Sequence, residues 1–347
     1  MNIAESVLDY PHTAAPAPAQ ALEIAPGVHW LRMPLPFALD HINLWMVTDG
    51  DGFAIVDCGL GNQATRDLWD AYFAAAHGVG GSLWVSRVIV THCHPDHAGN
   101  AHWLTHRFGA DLWVSLGEYF AAHAIGESRA GFSVEYQLDL LRRNGLEKAW
   151  LERMKERRGN YRRNVPEFPS AFCRLMDRQS LTIGARRWTV IMGYGHSAEH
   201  AALYCESLGV LISGDMVLPK ITTNISVSTV EPEGNPLRLF LDSLDRYAAL
   251  PADTLVLPSH GLPFRGIRER IAQLKEHHRL RLDEVEQACV SPKSAADIVP
   301  TLFRRELDTF QMYFAMGESM AHLHFLHAEG RLERRIGADG VLRYAQA

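Results

Sequence analysis

Val88-Ile89-Val90-Thr91-His92-Cys93-His94-Pro95-Asp96-His97 sets three imidazoles and a carboxylate at the end of an apolar run. Val85 to Thr91 is short and rich in β-branched residues, which reads as a buried strand. Pro95 keeps that strand from continuing through the cluster. The cluster is therefore expected in a strand-to-helix loop. Along extended backbone His92 and His94 point the same way, while Asp96 and His97 follow the bend toward a second point in space. Each pair suits one metal. Neutral imidazole with carboxylate fits a borderline ion such as zinc, at about 2.0–2.2 Å from each ligand atom.

Two metals need more ligands than one loop supplies, and three later strands end on suitable residues. Trp188-Thr189-Val190-Ile191-Met192 runs into Gly193-Tyr194-Gly195-His196-Ser197, Val210-Leu211-Ile212-Ser213 into Gly214-Asp215, and Leu255-Val256-Leu257 into Pro258-Ser259-His260-Gly261. Asp215 is the most telling of these. A carboxylate after a buried strand is costly without a cation or several donors, and bridging two metals would meet that cost.

The order H-x-H-x-D-H, then G-H-S, S-G-D and S-H-G resembles the metallo-β-lactamase superfamily. The resemblance implies an α/β fold, an αββα sandwich. It implies a first metal on His92, His94 and His196, a second on Asp96, His97 and His260, and Asp215 bridging both. Asp57, in Ile55-Val56-Asp57-Cys58-Gly59, is similar to the family's earlier acidic strand-end motif, whose role is to support the ligands. His200 falls at the second histidine of the family's G-H-T-x-G-H pattern, where a hydrogen bond near the site is expected instead of ligation. Tyr194 replaces the proline usual in that turn, so its phenol is a candidate for the substrate pocket, although plain packing is the blander reading. Thr91 to Asn100 resembles the glyoxalase II form of the loop.

Such a site implies hydrolysis by a metal-bridging hydroxide, with Asp96 orienting the water and relaying its proton. The two divalent ions are expected to be zinc, with iron or manganese compatible with the same ligands. The loop type points to an ester, thioester or lactone, small or carrier-linked. Leu218 to Val227 follows Asp215 and offers Lys220 and Asn224 to the cleft. A metal-dependent ribonuclease or phosphodiesterase is the second reading, and a non-hydrolytic metal-binding or redox module the third. No flavodoxin-like segment favours the last.

The chain has 347 residues, a net charge of −6 and 47% hydrophobic residues, enough for a large core and unlike a general nucleic-acid-coating protein. No long uncharged apolar segment suggests a membrane span. The chain opens without a basic start followed by an apolar block, so no secretory signal is expected. The five cysteines, Cys58, Cys93, Cys173, Cys205 and Cys289, form no C-x-x-C pair and suit a reducing cytoplasm. Cys93 lies inside the metal loop, but its neighbours already take the metal-facing direction.

Four regions are expected: a flexible tail over 1–24, a catalytic unit over 25–265, a helical insertion across the cleft over 117–180, and a winged-helix-like unit over 266–347. The insertion shows helical spacing at Tyr136, Leu140, Leu141 and Leu146 and no strand signal. It is basic, with Arg142, Arg143, Lys148, Arg153, Lys155, Arg157, Arg158, Arg162 and Arg163 against Glu147, Glu152 and Glu156. That charge reads either as a solvated face of intrahelical ion pairs or as a surface for an anionic substrate portion. In the last region helices are expected over Glu269 to Glu286, Ser294 to Leu302 and Met316 to Ala328. Gly337-Ala338-Asp339-Gly340 then turns a hairpin. His322, His324 and His327 spread around the third helix and read as packing, not ligation. Phe303, Phe310, Tyr313 and Phe314 suit either an internal core or a homodimer contact.

Overall fold

The computed structural model describes residues 8–37, 39–77, 84–155 and 160–347. Its first sheet has seven strands in sequential order: β1 (Leu22–Ala25), β2 (Val28–Pro34), β3 (His41–Asp49), β4 (Gly52–Val56), β5 (Val85–Ile89), β6 (Asp111–Ser115) and β7 (Cys173–Leu175). Pairing is antiparallel from β1 to β4 and parallel from β4 to β7. The second sheet contains β8 (Ser180–Ile183), β9 (Arg186–Gly193), β10 (His200–Cys205), β11 (Val210–Gly214) and β12 (Leu255–Pro258), in the order β12-β11-β10-β9-β8. Helices α1 (Gln63–His77), α2 (Pro95–Ala98), α3 (Ala101–Phe108), α4 (Leu116–Gly126), α5 (Val134–Arg143), α6 (Lys148–Lys155) and α7 (Asn160–Asn164) belong to the first half. Then come α8 (Pro236–Ala248), α9 (Ile267–Ala288), α10 (Ala295–Leu302) and α11 (Thr309–Ala328), and a hairpin of β13 (Leu332–Ile336) and β14 (Leu342–Gln346).

Two-residue alternation makes the layers. Val28, Trp30, Trp45, Val47 and Val56 point inward to meet Trp188, Val190, Leu203, Ile212 and Leu257 of the second sheet. The residues between them, Leu31, Met33, Leu44, Met46 and Ile55, face outward onto Trp69 and Phe73 of α1 and Leu104 of α3. The second sheet's outer face, with Leu211 and Val256, packs on Leu237, Phe240 and Leu244 of α8 and runs on without a break into α9, α10 and α11. The result is the αββα sandwich that the motifs imply. No helix among the described residues is long and apolar enough to cross a membrane.

Four expectations need correction. The span 117–180 is not purely helical, because Cys173–Leu175 adds a parallel edge strand to β6; three residues are too few to show alternation. The strand expected to reach Thr91 ends at Ile89, since Thr91 turns its N–H to the Asp57 carboxylate at 2.8 Å. The third C-terminal helix starts at Thr309, not Met316, on a capping box between Asp308 and Gln311. Within the expected tail, Leu8 is buried in the core, Asp9 pairs with Arg265 and β1 begins at Leu22. Residues 1–7 lie outside the described part.

The C-terminal order is helix, helix, helix, hairpin, with Lys293 bridging to Tyr344. His322, His324 and His327 donate through Nδ1 to the carbonyls of Glu318, Gly234 and Leu332, which accords with a packing role. Leu203 lies fully buried between the sheets. Leu203→Ala should therefore lower the unfolding free energy by about 2–5 kcal/mol, read from urea denaturation.

Candidate metal centre

Five strands deliver their carboxyl ends to one edge of the sandwich. Asp57 follows β4, His92 and His94 follow β5, His196 follows β9, Asp215 follows β11 and His260 follows β12. Asp96 and His97 occupy the single turn α2, where Pro95 is the first residue. Two glycines permit the approach. A Cβ on Gly214 (φ +53°) would lie 2.2 Å from His200 Nε2, and one on Gly195 (φ +96°) would lie 2.3 Å from the Pro236 carbonyl oxygen. Neither position tolerates a side chain.

The potential ligand atoms form two groups. His92, His94, His196 and Asp215 make the first, and Asp96, His97 and His260 the second. In the first, His92 Nε2 lies 2.9 Å from His94 Nδ1 and 3.2 Å from His196 Nε2, and Asp215 Oδ2 lies 3.5 Å from His196 Nε2. In the second, Asp96 Oδ2 is 3.7 Å from His97 Nε2 and 3.5 Å from His260 Nε2. Asp215 Oδ1 stands 3.5 Å from both of those nitrogens. Asp215 thus gives one oxygen to each group. Ligands arranged tetrahedrally about 2.0–2.1 Å from zinc sit roughly 3.3 Å apart, so these spacings fit a shared cation.

Four of the five candidate ligand histidines have the other ring nitrogen bonded to a neighbour, which orients the free lone pair inward. His97 Nδ1 donates to Asp57 Oδ2 at 2.8 Å, His260 Nδ1 to the His41 carbonyl at 2.8 Å, His196 Nδ1 to the Asn224 carbonyl at 2.8 Å and His92 Nδ1 to Thr91 Oγ1 at 3.1 Å. Asp57 takes a left-handed backbone (φ +61°), which an aspartate tolerates better than most residues. Its carboxylate is held by Thr91 through both N–H and hydroxyl.

Charge balance also calls for cations. His97 Nε2 and Asp215 Oδ1 are buried with no hydrogen-bond partner among the described residues. Burial and the neighbouring imidazoles push His92 and His94 well below the usual histidine range, so both present neutral, ligating rings. At His97 burial also opposes protonation, but Asp57, Asp96 and Asp215 outweigh it and hold the ring well above that range. Without a metal the second group keeps a proton instead. These residues fit two divalent ions.

His200 stands beside the site but not in it. Its Nε2 accepts the Asp215 N–H at 3.1 Å, and burial followed by the charge of His196 lowers its pKa to about 3. Of the three substrate candidates, Asn224 stands directly against a candidate ligand. Tyr194 has the Arg246 guanidinium 5.5 Å from its ring centroid and packs against the inter-sheet core. Asn224 orients His196 through its carbonyl, while its side chain accepts from Ser226 Oγ. Lys220 is exposed on the loop after Asp215.

Several supporting residues escaped sequence reasoning. Asn43 ties β3 to the His260 turn, accepting from Trp30 Nε1 and donating to the carbonyls of Pro258 and Gly261. His41 accepts the Gly261 N–H through Nε2. Glu118 and Tyr161 grip the peptide of Cys93 inside the metal loop. Cys93 itself is buried, and burial with the Glu118 charge raises its thiol pKa well above normal.

Three of the insertion's basic side chains are paired with carboxylates among the described residues. Arg142 pairs with Asp139, Lys155 with Glu152 and Arg162 with Glu127, and Arg153 lies over the Trp150 ring. Glu156, Arg157 and Arg158 lie outside the described residues.

Comparison with known proteins agrees with this geometry. The family model described as "Metallo-beta-lactamase superfamily" matches residues 38–260, and "Metallo-beta-lactamase-like, C-terminal domain" matches 282–347. A β-lactamase domain protein from Burkholderia ambifaria is 50% identical, with a TM-score of 0.91 and 98% of each chain covered. A metallo-β-lactamase family protein from Thermus thermophilus is 30% identical, with a TM-score of 0.78, over 94% of this chain and all of its own. The probable metallo-hydrolase YqjP of Bacillus subtilis is 25% identical over 86% of this chain and 92% of its own.

Asp57→Asn removes the carboxylate behind His97 while keeping its size. Metal affinity of the second group should fall about 10–100-fold in chelator competition, the range for losing a partner behind a ligating histidine.

Proposed function

Because this chain belongs to the metallo-β-lactamase superfamily and is a metallo-hydrolase, we propose that it holds two divalent ions, zinc foremost, and hydrolyses an ester, thioester or lactone. The observation that carries this reading is the division of the Asp215 carboxylate, one oxygen toward each ligand group. His92, His94 and His196 would hold the first ion, Asp96, His97 and His260 the second, and Asp215 both. When bound, such ions supply Lewis acidity for a carbonyl oxygen and lower the pKa of water from roughly 16 toward about 7.

The chain's own groups then divide the remaining work. Asp96 Oδ2 faces His97 and His260, and the carboxylate is part-exposed at the rim. Its Oδ1 accepts the proton of the attacking water and returns it to the leaving alkoxide, thiolate or ring oxygen. Asp57 keeps His97 aligned, and the Asn224 carbonyl does the same for His196. No serine or cysteine nucleophile is needed, and buried Cys93 is unsuited to be one.

An acyl substrate is favoured over a phosphodiester by two features. Thr91-His92-Cys93-His94-Pro95-Asp96-His97 is similar to the glyoxalase II loop. In the basic insertion, which would serve a polyanion, Arg142, Lys155 and Arg162 are each met by a neighbouring carboxylate.

The test offers zinc-loaded protein a panel of aryl esters, thioesters and lactones alongside single-stranded RNA. Acyl turnover should vanish on chelation, return with metal and be lost in His94→Ala; Asp96→Asn should cost about 10²–10⁴-fold. RNA cleavage that disappears in His94→Ala, with no acyl turnover at all, would replace this reading by the nuclease one.

A further inference from the structure

Cys93 separates two ligands of the first group, and its peptide is held from both sides. Its N–H donates to Glu118 Oε2 at 2.8 Å, and the Tyr161 hydroxyl donates to its carbonyl at 2.7 Å. The other Glu118 oxygen, Oε1, accepts the Glu199 N–H at 2.7 Å. Glu199 lies three residues past His196 and one before His200. A single carboxylate, fully buried on the first turn of α4, therefore ties the loop of His92 and His94 to the turn of His196.

The junction is reciprocal. Glu199 Oε2 accepts the Gly117 N–H at 2.8 Å, and Ser115 Oγ donates to the Glu199 carbonyl at 2.7 Å. Glu118 thus accepts the N–H of Glu199 itself, and Glu199 accepts the N–H of the residue before Glu118. Gly117 allows the fit, since a Cβ there would come within 3.1–3.2 Å of Glu199 and Ala198 atoms. By contrast, the second group rests on Asp57 and the His41 carbonyl, neither of which appears among the Glu118 partners.

We propose that Glu118 is a positioning residue for the first cation, setting the separation between the His92/His94 loop and the His196 turn. This rests on the two-cation reading. Both Glu118 oxygens face N–H donors, and a carboxylate only accepts. Glu118→Gln turns one acceptor into a donor pointed at an N–H, forcing the two loops apart and spreading nitrogens now 2.9 and 3.2 Å from His92 Nε2. Tyr161→Phe leaves the carboxylate in place and frees only the Cys93 carbonyl.

Metal-free full-length protein is titrated with zinc and with cobalt against a competing chelator, and its melting is followed with and without metal. The wild type should take up two ions in distinguishable events. Glu118→Gln should weaken one event about 10–100-fold and leave the other within about twofold. Asp57→Asn should weaken the other event most, with a smaller loss in the Glu118-sensitive event through Thr91 and His92, and the double variant should weaken both strongly. Tyr161→Phe should weaken the Glu118-sensitive event by a smaller factor. Unchanged or equally weakened events in Glu118→Gln would overturn the proposal. If that variant does not fold, Tyr161→Phe decides: loss confined to one event supports the clamp, and unchanged binding overturns it. A wild type that binds fewer than two ions would instead sink the two-cation reading.

Discussion

Everything at the sandwich edge is organised by the demand of buried carboxylates for positive charge. Asp57, Asp96 and Asp215 surround His97, whose ring is fully buried, and Asp215 reaches the first group as well. Buried anions without partners are among the costliest features a fold can carry. Thr91 and His97 meet part of that cost at Asp57, and a cation between the two groups would meet the rest at Asp215. Neutral His92 and His94 on one side and proton-hungry His97 and His260 on the other describe two sites with different electrostatic appetites.

The β-sandwich makes that concentration of polarity tolerable. Its inter-sheet core contains Trp30, Trp45 and Trp188, so the strands are anchored deeply while their carboxyl ends emerge at one rim. Loops leaving the rim are braced by main-chain bonds. Asn43 N–H to the Ser259 carbonyl at 2.7 Å and Ala201 N–H to the Thr91 carbonyl at 2.8 Å each join a ligand-bearing loop to a strand. A ligand set built this way is pre-organised by the fold instead of gathered by the metal.

Most of the candidate ligands were legible because they closely follow an apolar run, where a change from β-branched residues to His or Asp stands out; Asp96 and His97 stood out by their nearness to His92 and His94. The layers followed from the resemblance that these motifs carry, not from the alternation that builds them. What escaped reading acts through groups that carry no residue identity. Glu118 is one carboxylate in Ser115-Leu116-Gly117-Glu118, and its partners are backbone N–H groups. Asn224 contributes a carbonyl that any residue owns, so its part in holding His196 has no sequence signal. Tyr194 stays open between pocket and packing in the sequence, because a turn beside a ligand does not fix where its neighbour's ring goes. The early start of α11 did have a signal, Asp308-Thr309-Phe310-Gln311, but the aromatic residues after it masked the helix.

Gly317 of α11 lies so near Ser226 that a Cβ there would come within 2.5 Å of its hydroxyl, and its carbonyl receives the Val227 N–H. Ser226 in turn bonds to Asn224, the residue that steadies His196. The loop behind His196 is thus seated partly on α11, so a change in that helix can reach the candidate centre without touching any candidate ligand.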